Sequence, residues 1–290
     1  MKKVTKSAYA KVNLTLEVFP PREDGYHDIE TVMHKLTLCD NVTVTKVDAG
    51  IRLVCSKDIC AEKDNLAYKA AARFFEVTGC VGGCEIYIDK VIPDRAGLAG
   101  GSADAAAVLD ALSELYGVRD DLLIDGICEG LGSDIVFCRE KYICAKAFGR
   151  GEKVFPLPPL AKMYVLTAVP SEGLSTKAVY SAYDKCGVYQ DNGGITFTEG
   201  LSKKLESGNY AINSQDTFNS FEEVCKTLLP EIANIMKLLS ETEAEAVRMS
   251  GSGSAVYALY CSEALCLRAK ESLQAHKGLR FLGCFETLGE

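Results

Sequence analysis

The chain has 290 residues, 48% of them hydrophobic and 25% charged, a composition that excludes extensive disorder and allows one large or two ordinary globular domains. Its net charge of −8, without a basic cluster longer than two lysines, argues against a nucleic-acid partner. The sequence contains no run of about 18 apolar residues and no signal-peptide core, so a cytoplasmic protein without a membrane span is predicted.

The first half of the chain mixes strands with helices. Predicted in chain order are strands at 9–19, 35–38, 42–47 and 51–55, a helix at 65–77 between an Asp64 cap and Gly79, a strand at 84–92, a helix from a Ser102 cap to Gly117, and short strands at 142–148 and 153–155. Alternation in the strand at 84–92 places Ile86, Ile88 and Lys90 on one face. The proline cluster at 156–159 is the predicted boundary between domains 1–159 and 160–290.

The second half of the chain gives the same mixed pattern. Predicted in chain order are a strand at 163–169, helices at 176–184, 217–229 and 231–241, strands at 246–249 and 255–260 around a glycine-serine turn, a helix at 263–276 and a strand at 280–285. Residues 187–194 are polar and contain glycine, so a mobile loop is predicted there. The order of elements indicates an α+β protein.

Thirteen cysteines are spread along the chain, with only three histidines. Cys80 and Cys84 come nearest to a ligand pair, but they do not form a Cys-x-x-Cys motif. Reduced, mostly buried thiols are therefore predicted, and no metal site.

The first strand alternates between an apolar and a polar face. Ala10, Val12, Leu14, Leu16 and Val18 point one way, while Lys11, Asn13, Thr15 and Glu17 point the other. Spacing alone favours an amphipathic strand whose polar side meets solvent.

A glycine-rich turn joins the strand at 84–92 to the following helix. Gly97, Gly100 and Gly101 precede the Ser102 cap, so the N–H groups of residues 100–103 are expected to lack helical partners and to favour an anion, with the helix dipole adding to the effect. The spacing fits neither the Walker pattern nor the dinucleotide fingerprint. The turn indicates a phosphate site, and a plain turn before a capped helix is the alternative.

The run from Pro93 to Ala103 resembles the phosphate-binding motif of the GHMP kinases. Its version, Ala-Gly-Leu-Ala-Gly-Gly-Ser-x-Asp-Ala-Ala, is similar to that of the 4-diphosphocytidyl-2-C-methyl-D-erythritol kinases. The resemblance covers almost the whole chain. It implies a two-domain α+β fold, with an N-terminal ribosomal protein S5 domain 2-like domain, a C-terminal ferredoxin-like domain and an active site in the cleft between them.

The resemblance also implies an ATP- and Mg²⁺-dependent phosphotransferase and a set of site residues. Lys11 is expected to orient the hydroxyl and stabilise charge, and Asp134 to act as the general base. Ser133 and Val136 depart from the family's Gly-Ala-Asp-Val-Pro segment around Asp134. The residues expected to bind the ATP phosphates are Pro93, Gly97, Leu98, Ala99, Gly100, Gly101, Ser102 and Ala103.

The implied substrate is 4-diphosphocytidyl-2-C-methyl-D-erythritol, phosphorylated on its 2-hydroxyl. Asn13 is expected to contact its sugar-alcohol end, and His27 to read the cytosine edge between the rings of Tyr26 and Tyr180. Ser250 and Gly251 belong to a turn that resembles the third GHMP motif, with a simple hairpin turn as the alternative. A kinase for a mevalonate-like or homoserine-like alcohol and a catalytically silent nucleotide-binding member are the alternative functions, and the protein is expected to be a monomer or homodimer.

Overall fold

The computed structural model describes residues 2–189 and 194–289. Their contacts divide the chain into two compact units. Unit 1 contains Met1–Ala10, Leu38–Asp94 and Ala99–Lys141, and unit 2 contains Lys11–Thr37, Arg95–Leu98 and Tyr142–Glu290. The boundary predicted after residue 159 does not coincide with the division between these units, and it stays a prediction about the family's two domains.

Strands and helices are mixed along the described chain, as an α+β fold requires. The strands are β1 Lys3–Pro21, β2 His27–Val47, β3 Gly50–Cys55, β4 Gly83–Asp89, β5 Cys144–Phe148, β6 Lys153–Leu157, β7 Tyr164–Pro170, β8 Phe218–Asn219, β9 Ala246–Met249, β10 Val256–Tyr260 and β11 Leu279–Glu286. The helices are α1 Leu66–Thr78, α2 Gly100–Tyr116, α3 Asp121–Leu131, α4 Ser133–Arg139, α5 Thr176–Cys186, α6 Phe197–Glu206, α7 Glu222–Leu228, α8 Pro230–Ser240 and α9 Glu263–Leu273. Among the described residues, no helix has the length and apolar character needed to cross a membrane.

Unit 1 is built on β4, which pairs antiparallel with β2 and parallel with β3. Ile86, Ile88 and Lys90 are buried while Tyr87 and Val91 are exposed, so the predicted alternation is confirmed. Helix α1 packs on α2 and α3, and α4 packs on the same two helices. The apolar face of α2 therefore lies inside this unit, with the N-terminal turn of α2 at one end.

Two helix caps in unit 1 differ from the prediction. Helix α2 begins at Gly100 behind Ala99, whose φ of 57° is left-handed, so Ser102 is the third helical residue and not the cap. The N–H of Ala103 donates to the carbonyl oxygen of Ala99 at 2.9 Å, so it is not one of the free groups. In α1 the cap is Asn65, whose side chain accepts from the N–H of Ala67, in place of Asp64. The C-terminal glycines, 79 and 117, stand where predicted.

Unit 2 contains two sets of paired strands. In the first, β1 pairs parallel with β8, and β5 pairs antiparallel with β2 and β6. The second is an antiparallel sheet with the order β11-β7-β10-β9. Helices α8 and α9 both pack against β7 and β10, and their apolar side chains join the core of this sheet. The ferredoxin-like arrangement that the resemblance implies is a strand, a helix, two strands, a helix and a strand. These are β7, α8, β9, β10, α9 and β11 in chain order.

In both halves of the chain, several elements differ from the prediction. The helix predicted at 217–229 is wrong in its first part, because β8 occupies Phe218–Asn219 and α7 begins only at Glu222. Helices α3, α4 and α6 were not predicted. The strands predicted at 35–38 and 42–47 are parts of the single long β2. The predicted loop at 187–194 falls partly on residues 190–193, which lie outside the described residues.

The thirteen cysteines are free thiols, but burial is less general than predicted. Burial raises the pKa of Cys84 and Cys128 to about 12, so these thiols stay protonated near neutral pH. The buried cysteines are Cys84, Cys128, Cys144, Cys225 and Cys266, and the exposed ones are Cys60, Cys186 and Cys261.

Candidate active site

The polar face of β1 is buried in unit 2. Lys11, Asn13, Thr15 and Glu17 are each no more than 4% exposed, so the solvent-facing prediction from spacing alone is wrong. Helix α6 covers the far end of this face: the carboxylate of Glu17 accepts from the N–H groups of residues 197 and 198, at the start of the helix. A carboxylate at a helix N-terminus satisfies otherwise free donors and is favoured by the helix dipole.

Lys11 and Asn13 are hydrogen-bonded to each other at the other end of this face. Lys11 Nζ donates to Asn13 Oδ1 at 2.6 Å, and Asn13 Nδ2 donates to Thr31 Oγ1 at 2.8 Å. Thr31 in turn donates to the carbonyl oxygen of Thr15 at 2.6 Å. Because the Thr31 hydroxyl proton is used on that carbonyl, Thr31 can only accept from Asn13, and this fixes the amide with its oxygen toward Lys11.

The turn at 250–254 contacts the same segment of β1. The N–H of Asn13 donates to Ser250 Oγ at 3.3 Å, and Ser250 Oγ donates to the carbonyl oxygen of Gly97 at 2.8 Å. A Cβ on Gly97 would lie 2.0 Å from the carbonyl oxygen of Ser250, so only glycine fits there. On Gly251, a Cβ would approach the Gly97 carbonyl oxygen to 3.3 Å and Asn13 Oδ1 to 3.4 Å.

Further backbone contacts hold these three segments together. The N–H of Lys11 donates to the carbonyl oxygen of Leu98 at 3.1 Å. The buried Tyr257 hydroxyl donates to the carbonyl oxygen of Asn13 at 2.8 Å, and burial raises the pKa of this tyrosine. Lys11, Asn13, Gly97, Leu98, Ser250 and Gly251, which sequence motifs singled out, are thus neighbours within unit 2. Thr31 and Tyr257 were not predicted, because neither belongs to a recognisable motif.

The glycine-rich motif continues in unit 1 as the first turn of α2. By helix geometry, the N–H groups of Gly100, Gly101 and Ser102 have no partner within the helix, and they coincide with its positive dipole end. Gly101 is exposed, and a Cβ there would have no atom within 4 Å, whereas Gly100 is buried and its Cβ would meet Ile92 at 2.9 Å. Gly101 therefore borders open space, and Gly100 packs inward. Pro93, half-buried, lies between β4 and this turn.

Asp134 lies half-buried in the first turn of α4, where the helix dipole favours a carboxylate. Helix α4 is fastened at its other end by Arg139, which donates to Asp110 on α2 at 3.2 Å and to Asp121 on α3 at 2.6 Å, and also to Asp125. Val136, at the position where the resemblance leads us to expect a proline, is buried in the middle of α4. With valine at this position, residues 133–139 form a regular helix that begins next to Asp134.

The predicted cytosine-binding residues are only partly brought together in unit 2. The rings of His27 and Tyr180 are 5.2 Å apart, while Tyr26 is 55% exposed and has the Arg150 guanidinium 5.0 Å from its ring. His27 Nδ1 donates to the carbonyl oxygen of Phe19 at 2.7 Å, and its Nε2 lies 3.1 Å from Asp184 Oδ1. Both ring nitrogens of His27 therefore have protein partners.

Among residues 2–189 and 194–289, no group of three or more His, Cys, Asp or Glu side chains is arranged to hold a metal ion. Mg²⁺ that accompanies ATP is bound largely by phosphate oxygens and water, with one or two protein ligands. The ion therefore belongs with the substrate, as MgATP.

Comparison with known proteins supports a kinase. Residues 65–138 match the GHMP kinases N terminal domain, and residues 201–278 match the GHMP kinases C terminal domain. The chain is 37% identical over 270 residues to the 4-diphosphocytidyl-2-C-methyl-D-erythritol kinase of Syntrophomonas wolfei, covering 92% of this chain and 93% of that protein.

Solved structures agree with the sequence comparison. The crystal structure of a 4-(cytidine 5'-diphospho)-2C-methyl-D-erythritol kinase superposes with a TM-score of 0.81 at 33% identity, covering 99% of this chain and 100% of that one. The homoserine kinase of Cytophaga hutchinsonii has a TM-score of 0.75 at 18% identity over 99% of this chain and 95% of its own, a likeness of fold alone.

Proposed function

Because the chain belongs to the GHMP kinases and, among them, to the 4-diphosphocytidyl-2-C-methyl-D-erythritol kinases, we propose that it transfers the γ-phosphoryl group of MgATP to the 2-hydroxyl of that cytidine-linked alcohol. This reaction belongs to the non-mevalonate isoprenoid pathway. The observation that carries the proposal is the 37% identity over 92% of the chain to a kinase with this name.

MgATP binding is proposed for the glycine-rich motif. In unit 1, the N-terminal turn of α2 supplies free N–H groups and a positive dipole end, and the open space at Gly101 admits phosphate oxygens. Pro93, Gly97, Leu98 and Ala99 are assigned to the same function from the family motif. Ala103 contributes through its position in the first turn rather than through its N–H, which is bonded within the helix.

Asp134 and Lys11 are proposed to act in the same chemical step. Asp134 takes the proton from the attacking hydroxyl, and the Lys11 ammonium orients that hydroxyl and offsets the charge that develops during transfer. In a loose phosphoryl-transfer transition state, positioning and charge stabilisation provide most of the catalysis. The hydrogen bond from Lys11 to Asn13, fixed through Thr31, supports this role because it holds the ammonium in one place.

The cytidine end of the substrate is proposed to bind at Tyr26, His27 and Tyr180. The adjacency of the His27 and Tyr180 rings supports this assignment, and the exposed ring of Tyr26 is available for stacking. Asp184, 42% exposed at its side chain, lies against His27 Nε2. A base that is read by this nitrogen must displace Asp184. Asn13, Ser250 and Gly251 are assigned to the alcohol end.

Steady-state ADP release tests the proposal. Purified protein with MgATP is given 4-diphosphocytidyl-2-C-methyl-D-erythritol, methylerythritol 4-phosphate, mevalonate or homoserine, with Asp134→Asn as the control for contaminating activity. The cytidine compound is expected to be the only good substrate, because its remote binding energy is absent from the others. Equal turnover of mevalonate or homoserine would support a different GHMP kinase, and ATP binding without turnover of any alcohol would support a silent member.

A further inference from the structure

A buried ion cluster lies directly beneath the first turn of α2 in unit 1. Lys90 Nζ donates to Asp40 Oδ2 at 2.6 Å and to Asp104 Oδ2 at 2.5 Å. The side chains of these three residues are at most 2% exposed. They come from three elements, since Asp40 is on β2, Lys90 follows β4 and Asp104 is on α2.

Asp40 fixes the backbone that leads into the glycine-rich motif. Its second oxygen, Oδ1, accepts from the N–H of Val91 at 2.5 Å and from that of Ile92 at 2.8 Å. With Lys90 held on the other oxygen, one carboxylate sets the course of residues 90–92, immediately before Pro93.

Asp104 connects the same ammonium to the helix. It stands four residues after Gly100, so the two lie on one face of α2. A Cβ on Gly100 would be 3.0 Å from Lys90 Nζ and 2.9 Å from Ile92 Cγ2. The first turn of α2 therefore rests on Lys90 and Ile92, and its opposite side, at Gly101, borders open space.

In this cluster, burial and the neighbouring charges shift the pKa values in opposite directions, so the ion pairs are not simply stabilising. Burial raises the pKa of Asp104 despite the nearby Lys90, and Asp104 Oδ1 has no hydrogen-bond partner among the described atoms. For Lys90, burial lowers the pKa, but the two carboxylates outweigh it and raise the pKa above its ordinary value. Buried ionic groups commonly contribute less to stability than apolar residues of the same volume, and in some proteins they specify one geometry instead.

We propose that the Asp40–Lys90–Asp104 cluster positions the N-terminal turn of α2 for the phosphates of MgATP. The cluster joins residues 90–92, before the glycine-rich motif, to the first turns of α2. It therefore fixes the position and direction of the free N–H groups at the start of that helix. Its residues are positioning residues, because they lie under the turn and the phosphates are assigned to its open side. This role rests on the proposed function.

The test replaces the cluster while preserving its shape. Asp104→Asn keeps the volume and removes one charge, and Lys90→Met/Asp104→Leu removes one charge of each sign with apolar groups of similar size. The matched control is Leu109→Ala, a buried truncation in the same helix that lowers stability without touching the cluster. Each variant is measured for melting temperature, kcat, and KM for MgATP and for the cytidine-linked alcohol.

Both cluster variants are expected to raise the KM for MgATP about tenfold and to leave the KM for the alcohol within about twofold, even where the melting temperature equals that of the wild type. Leu109→Ala is expected to lower the melting temperature and leave the MgATP KM unchanged. Cluster variants that fold and bind MgATP like the wild type would overturn the proposal. A wild-type protein that binds no MgATP would instead overturn the proposed function, so the two failures are distinguishable.

Discussion

Replacing Thr31 with valine removes one hydroxyl from the hydrogen bonds that fix Lys11. Thr31 is 1% exposed, and valine has nearly the same shape, so packing is preserved. The change leaves Asn13 Nδ2 without its acceptor at 2.8 Å and the Thr15 carbonyl without its donor at 2.6 Å. The Asn13 amide then keeps only the Lys11 ammonium as a partner for its oxygen, so the amide is less firmly fixed and the ammonium is held less precisely.

Two magnitudes follow from this geometry. An unpaired buried donor costs about 1–3 kcal/mol, and each 1 kcal/mol lowers the melting temperature by roughly 2–4 °C in a chain approaching this size. For kcat we expect a loss of about tenfold. Removing a transition-state donor outright costs about 10²–10³, and here the charge remains but is less well placed.

Thr31→Ser is the matched control, because it keeps the hydroxyl and loses only a methyl group, worth about 1 kcal/mol. Thermal melts and ADP-release kinetics at saturating MgATP and alcohol are measured for both variants. We expect the serine variant to keep nearly full kcat with a modest fall in melting temperature. Equal kcat values for the valine and serine variants would refute the reasoning that the orientation of Asn13 matters for turnover.

Other substitutions test the proposed catalytic, phosphate-binding and cytidine-binding residues and one buried histidine. Lys11→Met and Asp134→Asn should each lower kcat at least about 10²-fold with ATP binding retained. The double variant should have a kcat little lower than either single variant, because both groups serve one step, and a kcat loss equal to the product of the two single losses would contradict this. Gly101→Val should raise the MgATP KM with an unchanged melting temperature, whereas Gly100→Val should destabilise the fold because its side chain would collide with Ile92. A normal MgATP KM for Gly101→Val would show that this turn does not bind the phosphates. Tyr180→Ala should weaken the cytidine compound by roughly 1–3 kcal/mol and leave the MgATP KM unchanged; an unaltered KM for the cytidine compound would exclude Tyr180 from its site. Burial lowers the pKa of His34 to about 4, below its unfolded value of about 6.5, so the free energy of unfolding should fall by up to about 3 kcal/mol as the pH falls from 6.5 to 4. His34→Gln should flatten this part of the plot of unfolding free energy against pH, and a plot identical to that of the wild type would contradict the prediction.

Local sequence patterns predicted the elements whose causes are local. The apolar repeat of α2, the glycine at its end and the alternation of β4 depend on neighbours along the chain, and each is present in the structure. The start of α2 was predicted three residues late, with the cap at Ser102 in place of Ala99. A left-handed Ala99 closes the glycine-rich turn, and no sequence rule assigns positive φ to an alanine.

The burial of the polar face of β1 could not be predicted from spacing. It depends on α6, whose N-terminus meets Glu17 across 181 positions of sequence. A similar limit applied to Lys90. Alternation placed it on the same face as Ile86 and Ile88, but the two carboxylates that pair with it come from separate elements. A lysine on an apolar face is itself the signal that a buried partner exists.

The most direct test of the central claim is the identity of the product. Wild-type protein is incubated with MgATP and 4-diphosphocytidyl-2-C-methyl-D-erythritol, and the product is followed by phosphorus NMR. We predict a new phosphomonoester resonance in addition to the retained diphosphate signals. The coupling between this phosphorus and the carbon that carries the esterified oxygen should assign the new group to the 2-hydroxyl. The resonance should be absent with Asp134→Asn over the same time. Retention of the unmodified alcohol by the wild type, or phosphorylation at a different hydroxyl, would contradict the proposed reaction.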